Sequence, residues 1–163
     1  MRRWCRQAFS LLAAMGLLAG VFVSCSGENA QTSPSTTTDS IAGVDADANG
    51  VRDDVESYID TTYAGQANAD LNKALRQYAK AVQSSMIDVG SQPLSLTHAT
   101  ERFRALECLM ARQPRDYHTI FVDLRAQVLN TKSRSDAYLQ ADNQVKAENI
   151  PLLPADQWVT ACQ

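Results

Sequence analysis

Three features of this 163-residue chain predict an all-α fold, a small bundle of four to five helices. From Val51 to Val145, apolar residues recur at intervals of three and four, which places them on one face of a helix. Gly65, Gly90, Pro93 and Pro114 cut this pattern into helix-length pieces. No apolar–polar alternation runs long enough for a sheet, and no segment repeats.

Taken from its start, the chain first reads as an export signal over residues 1–24. Arg2, Arg3 and Arg6 form a positive flank, and an apolar run follows from Ala8 to Val23. That run has about 15 residues, against the roughly 20 that a membrane span needs. Phe22-Val23-Ser24-Cys25 then resembles the lipobox of bacterial lipoproteins. The resemblance implies cleavage before Cys25 and lipidation of that residue, and it covers these four residues alone. Ser26 after the Cys, by the same resemblance, implies outer-membrane delivery facing the periplasm. Cleavage near this point without lipidation is the alternative. Residues 26–40 carry no large apolar side chain and cannot offset the entropy of ordering, so 25–40 is expected to be a lipidated, flexible tether.

The folded domain is expected over 41–163. A first helix follows from Val51, Val55, Tyr58 and Ile59, with Gly65 just beyond its end. A second, from about Ala67 to Val89, has the stripe Leu71, Leu75, Tyr78, Val82 and Met86. A third is expected to start after Ser95 or Thr97, with the stripe Ala99, Phe103, Leu106 and Met110. Cys108 lies about 180° from the centre of that stripe, so it faces something other than the main core. Beyond Pro114, the residues Tyr117, Ile120, Phe121, Leu124 and Val128 give a fourth helix. Ser133-Arg134-Ser135-Asp136 either caps a fifth, through Ala137, Tyr138, Leu139, Ala141 and Val145, or prolongs the fourth. Ile150-Pro151-Leu152-Leu153-Pro154 reads as an extended tail, tied down by Trp158 and Cys162.

Charge and cysteines narrow the setting. The formal charge is −3, and it becomes −6 once residues 1–24 remove three arginines and no acid. An acidic body is not a nucleic-acid binder. With Cys5 in the signal and Cys25 at the lipid site, Cys108 and Cys162 remain as a pair in an oxidising compartment. A disulfide between them is expected, with two buried free thiols as the alternative.

The most specific stretch is Asp45 to Glu56. Calcium takes six to eight hard oxygen ligands, and a 12-residue loop supplies them from positions 1, 3, 5, 7, 9 and 12, with Gly at position 6 for the sharp turn. Those positions hold Asp45, Asp47, Asn49, Val51 (through its carbonyl), Asp53 and Glu56, and position 6 is Gly50. The stretch resembles the EF-hand calcium loop over these 12 residues only, and the resemblance implies those six residues as ligands to Ca²⁺. Residues 39–44 make a poor entering helix, and position 8 is Arg52 where a paired loop has an apolar residue. No second loop is present. The stretch is therefore closer to the helix-less loops of dockerin-like and thrombospondin-type-3-like segments, and a structural ion is expected rather than a sensor.

No catalytic pattern stands out. His98 and His118 are the only histidines; His98 shares a helical face with Glu101, and His118 follows Tyr117. No nucleophile elbow, phosphate loop or zinc-protease motif is present. The expectation is a non-enzymatic, calcium-binding lipoprotein with a structural or protein-binding role in the bacterial envelope. Its expected partners are the membrane, through the lipid, and an envelope protein. The alternatives are a small periplasmic inhibitor or immunity-type protein, whose acidic charge suits a basic partner, and an envelope hydrolase using His98 or His118.

Overall fold

The computed structural model describes residues 40–163, and the expected signal, the lipid site Cys25 and the tether up to residue 39 lie outside them. Five α-helices follow in order: α1 Asp53–Thr62, α2 Ala69–Ile87, α3 Gln92–Arg112, α4 Tyr117–Val128 and α5 Lys132–Val145. Short 3₁₀ turns occupy Gln66–Asn68 and Ala155–Ala161. Among the described residues there is no strand, so the all-α bundle is the fold. None of the described helices is long and apolar enough to cross a membrane.

The central element is α2, which touches each of the other four helices. Its expected stripe is buried, and so are Ala74, Ala79, Ala81, Gln83 and Ser85 on its other sides. The small alanines let neighbouring helices approach on those faces. The main core gathers Val55 and Ile59 of α1, Leu75 and Val82 of α2, Leu109 of α3 and Leu124 of α4. Full burial of each such side chain contributes about 1.5–3 kcal/mol.

The start of α3 differs from expectation, and the structure decides the fifth helix and the tail. Helix α3 starts at Gln92, not after Ser95, because Pro93 falls in its first turn, where the missing N–H has no helical partner to lose. Gly90, at φ 106°, makes the reversal that precedes it. The fifth helix is separate from the fourth and is capped by Thr131, whose hydroxyl accepts from the Arg134 amide at 3.3 Å. The tail has no helix over Ile150–Pro154, as expected, and Ala155–Ala161 beyond it forms a 3₁₀ helix.

The α3 stripe is also rotated. Ala99, Ala105 and Leu109 are buried, whereas Phe103 is 38 % exposed. Cys108 lies to one side of the main core. It packs with Ala74, Ala161 and Leu153 in a second small cluster and is bonded to Cys162, with Cα atoms 4.9 Å apart. Glu107 beside it is 1 % exposed; it accepts from the Leu153 amide at 2.6 Å and from Arg104 at 2.6 Å. The Arg104 guanidinium also reaches the Pro151 carbonyl at 2.9 Å.

Candidate functional site

The acidic loop is closed at its base by backbone: the Asp53 amide donates to the Val44 carbonyl at 2.9 Å. Within it, the Asp45 carboxylate accepts from the amides of Asn49 at 3.1 Å and Gly50 at 2.8 Å. Gly50 has φ 89°, the left-handed conformation expected of position 6. Ala48 also takes positive φ, at 56°. The Asn49 amide group donates to Asp47 at 2.9 Å and to Glu56 at 2.8 Å, which draws positions 3, 5 and 12 together. Asp53 turns back across the loop and accepts from the Ala46 amide at 2.9 Å.

The structure thus brings Asp45, Asp47, Asn49, Asp53 and Glu56 into one hydrogen-bonded loop, beside the buried Val51. As they stand, no three His, Cys, Asp or Glu side chains among the described residues converge as a metal-holding group. The reason is local. Glu56 is engaged by Arg76, whose other arm binds both oxygens of Asp60 at 2.7 and 2.8 Å. The aliphatic stem of Lys80 lies over Gly50. The Arg76 cation offsets part of the mutual repulsion of the loop's carboxylates. The donor set, all hard oxygen, fits calcium in chemistry and in loop spacing.

Position 8, the mismatch with a paired loop, has a different purpose. Arg52 is 1 % exposed. Its guanidinium forms a two-point pair with Asp54 at 2.8 and 2.9 Å. It also donates to the carbonyls of Val128 at 2.9 Å and Gln127 at 3.2 Å, and to the Gln83 side chain at 3.3 Å. Those carbonyls are at the C-terminal end of α4, where unpaired carbonyls and the helix dipole favour a cation. Burial alone would raise the Asp54 pKa, but the hydrogen bond and charge of Arg52, with help from Asn130 and Arg134, hold it below the usual value. Gly43 runs beneath this guanidinium, and a Cβ there would collide with the Arg52 stem. Arg134 of α5, also 1 % exposed, donates to the Ser40 carbonyl at 2.7 Å.

Of the two histidines, His98 shares a groove with Asn49 and Val51 of this loop. His118 is exposed, edge-on to Tyr117. His98 is half-buried and lines a groove of about 630 Å³ with Lys73, Arg76, Lys80 and Ser84. Its two ring nitrogens sit 2.9 Å from Glu101 and 2.8 Å from Asp88. Burial lowers its pKa, but these two carboxylates outweigh that and hold it above the ordinary value. Both ring nitrogens are thus engaged by carboxylates. The arrangement is that of a charged joint between α2 and α3.

No protein-family model matches the chain, and no curated protein or solved structure matches it.

Proposed function

We propose that this chain is an exported lipoprotein of the bacterial cell envelope that holds one calcium ion in the Asp45–Glu56 loop and serves a structural or protein-binding role there. The reading is carried by one observation: Asn49 bridges Asp47 and Glu56 while Asp45 folds over the Asn49 and Gly50 amides, so the spaced oxygen groups occupy one small loop. Asp45, Asp47, Asn49, the Val51 carbonyl, Asp53 and Glu56 would hold the ion. Calcium would supply positive charge within the loop, where Arg76 now supplies it to Glu56 from outside.

The fastening of the loop favours a structural ion over a sensor. Arg52, its position 8, is locked to the end of α4. A loop held this way can gain order on binding metal without moving a helix. Lipidation at Cys25 would tether this body to the membrane, and the acidic charge suits a protein partner rather than nucleic acid.

Thermal unfolding of the metal-free full chain tests the reading. With a dissociation constant of roughly 10⁻⁴ to 10⁻³ M, 10 mM calcium adds about 1.4–2.7 kcal/mol. That corresponds to a rise in Tm of roughly 5–10 °C for a domain of this size. Asp45→Ala and Glu56→Ala should each abolish the gain. An unchanged Tm for the unmodified chain at 10 mM calcium would remove the calcium site.

A further inference from the structure

A second cavity, of about 410 Å³, opens between α2, α3, α4, α5 and the first residues of the tail, and none of its walls belongs to the acidic loop. We propose that it binds a small amphipathic carboxylate of the medium-chain fatty-acid class, with the carboxylate on Arg102 and the apolar body along Phe103, Leu106 and Phe121.

Arg102 carries the argument. It lies on the inward side of α3 and is 8 % exposed. Its guanidinium stacks 4.7 Å over the Tyr138 ring, and Nη2 donates to Asp142 at 2.6 Å. Its other arm, Nη1, is buried and has no hydrogen-bond partner among the described residues. A buried donor left unmade costs about 1–3 kcal/mol, and more on a charged group. An acceptor supplied from outside the chain would remove that cost.

Two further donors line the same cavity. Tyr78 is 2 % exposed and Tyr138 is 6 % exposed, and both line the cavity. Burial pushes the Tyr78 pKa up, so its hydroxyl keeps its proton and remains a donor. Arg102 Nη1 is a cationic donor without an acceptor, and a carboxylate offers the paired lone pairs that suit a guanidinium, with the two phenols as further donors.

The remaining wall is apolar. Phe103 is exposed at mid-helix, where the main core would have buried it, and Leu106, Phe121 and Ile150 continue its surface. The volume is in the range of small-molecule pockets, roughly 300–1,000 Å³. At the rim, Lys146 is offset by Glu148, so selection for an anion falls to Arg102. Asp142 takes one arm of the guanidinium only, and a guanidinium has five donors.

Octanoate and 1-octanol share an apolar body and differ in charge. Calorimetric titration of the full chain with each is therefore the test. Octanoate should bind at least about tenfold more tightly than octanol, the effect of one charge-assisted hydrogen bond. Arg102→Met should bring the two within about twofold. Phe103→Ser, at an exposed position, should weaken both about fivefold and leave their ratio unchanged. Should Arg102→Met not fold, Asp142→Asn removes the negative charge that competes for the guanidinium and should tighten octanoate binding while leaving octanol unchanged. Equal binding of acid and alcohol by the unmodified chain, binding of neither, or an Asp142→Asn variant with unaltered or weaker octanoate binding would each overturn the proposal.

Discussion

Two glutamines of α2, six positions apart, hold the two ends of the folded body. Gln83 donates to the Ile41 and Ala42 carbonyls at 3.1 and 2.8 Å and so carries the N-terminal segment. Gln77 donates to the Ala161 carbonyl at 2.9 Å and accepts from the Gln163 amide at 3.1 Å, and so carries the C-terminal one. Beyond this shared device the ends diverge. The N-terminal end is fastened by a buried guanidinium, Arg52, that meets a carboxylate and two helix-end carbonyls. The C-terminal end is fastened by the Cys108–Cys162 bond and by the buried Glu107. The first clasp depends on burial and on a charge that persists at any ordinary pH. The second depends on an oxidising surrounding. The molecule should therefore come apart at different ends under different stresses.

Reduction is the largest test of that difference. Opening a covalent loop of about 55 residues costs roughly 4 kcal/mol by the chain-entropy argument. Reductant, or Cys162→Ser, should lower the unfolding free energy by about that amount. It should also free the tail first. The Trp158 indole N–H, which donates to the Leu153 carbonyl at 3.0 Å, should lose its hydrogen-exchange protection while the Asp53 amide at the loop base keeps its own. Loss of protection at both ends together would show one cooperative unit and erase the comparison.

Arg52→Met attacks the opposite end. It leaves the Val128 and Gln127 carbonyls and the Gln83 side chain short of a donor, and about 3 kcal/mol of destabilisation is expected. Asp54 is partly exposed and can rehydrate, which keeps the loss below that of a fully buried pair. Arg52→Lys should recover less than half, since one ammonium cannot span a carboxylate and two carbonyls together. Denaturant unfolding gives the magnitude, and unaltered stability in Arg52→Met would end the argument for this clasp. The pair also has an acid signature. The Asp54 pKa is lowered on folding, so its contribution is present above the ordinary value of 3.8 and is lost as pH falls through the lowered one.

The sequence made the helices legible and left the clasps mostly hidden, for a physical reason. Helical periodicity reports which residues face a core, and it placed Leu75, Val82, Leu124 and Val128 there correctly. It also pointed Cys108 towards a returning tail. Periodicity says nothing of a charged side chain that crosses the fold to reach carbonyls 75 and 76 positions away. Arg52 therefore read only as a departure from a loop pattern, and Glu107 gave no signal at all. The one hint was negative: an Arg where a paired calcium loop would be apolar. Phe103 was assigned to the core because its phase permits it, and the wide cavity beside Arg102 is what leaves it at the surface. The loop residues Asp45 to Glu56 were the easiest to find, since their chemistry resides in consecutive positions. Arg76, which pairs with Glu56, comes from another helix and could not be read from the spacing.

The smallest test uses pH, and it probes whether the two clasps are alone in setting stability. Guanidinium groups stay protonated at ordinary pH and a disulfide does not titrate, so no slope between pH 6 and 9 is expected from a guanidinium or a disulfide. His98 gives one. Its folded pKa is held above the ordinary 6.5 by Glu101 and Asp88 against the pull of burial. The sign follows: the contribution is complete below 6.5 and disappears as pH rises through the raised folded value. Both carboxylates are substantially exposed, so solvent screening keeps each pair to about 0.2–1 kcal/mol. Urea unfolding across that range should show stability declining gently with pH, with a smaller decline in high salt. His98→Gln should flatten the slope without shifting the exchange protection of either end. A slope that persists in His98→Gln would mean that another group, at one of the clasps or elsewhere, senses neutral pH, and the α2–α3 joint would lose its part in the pH response.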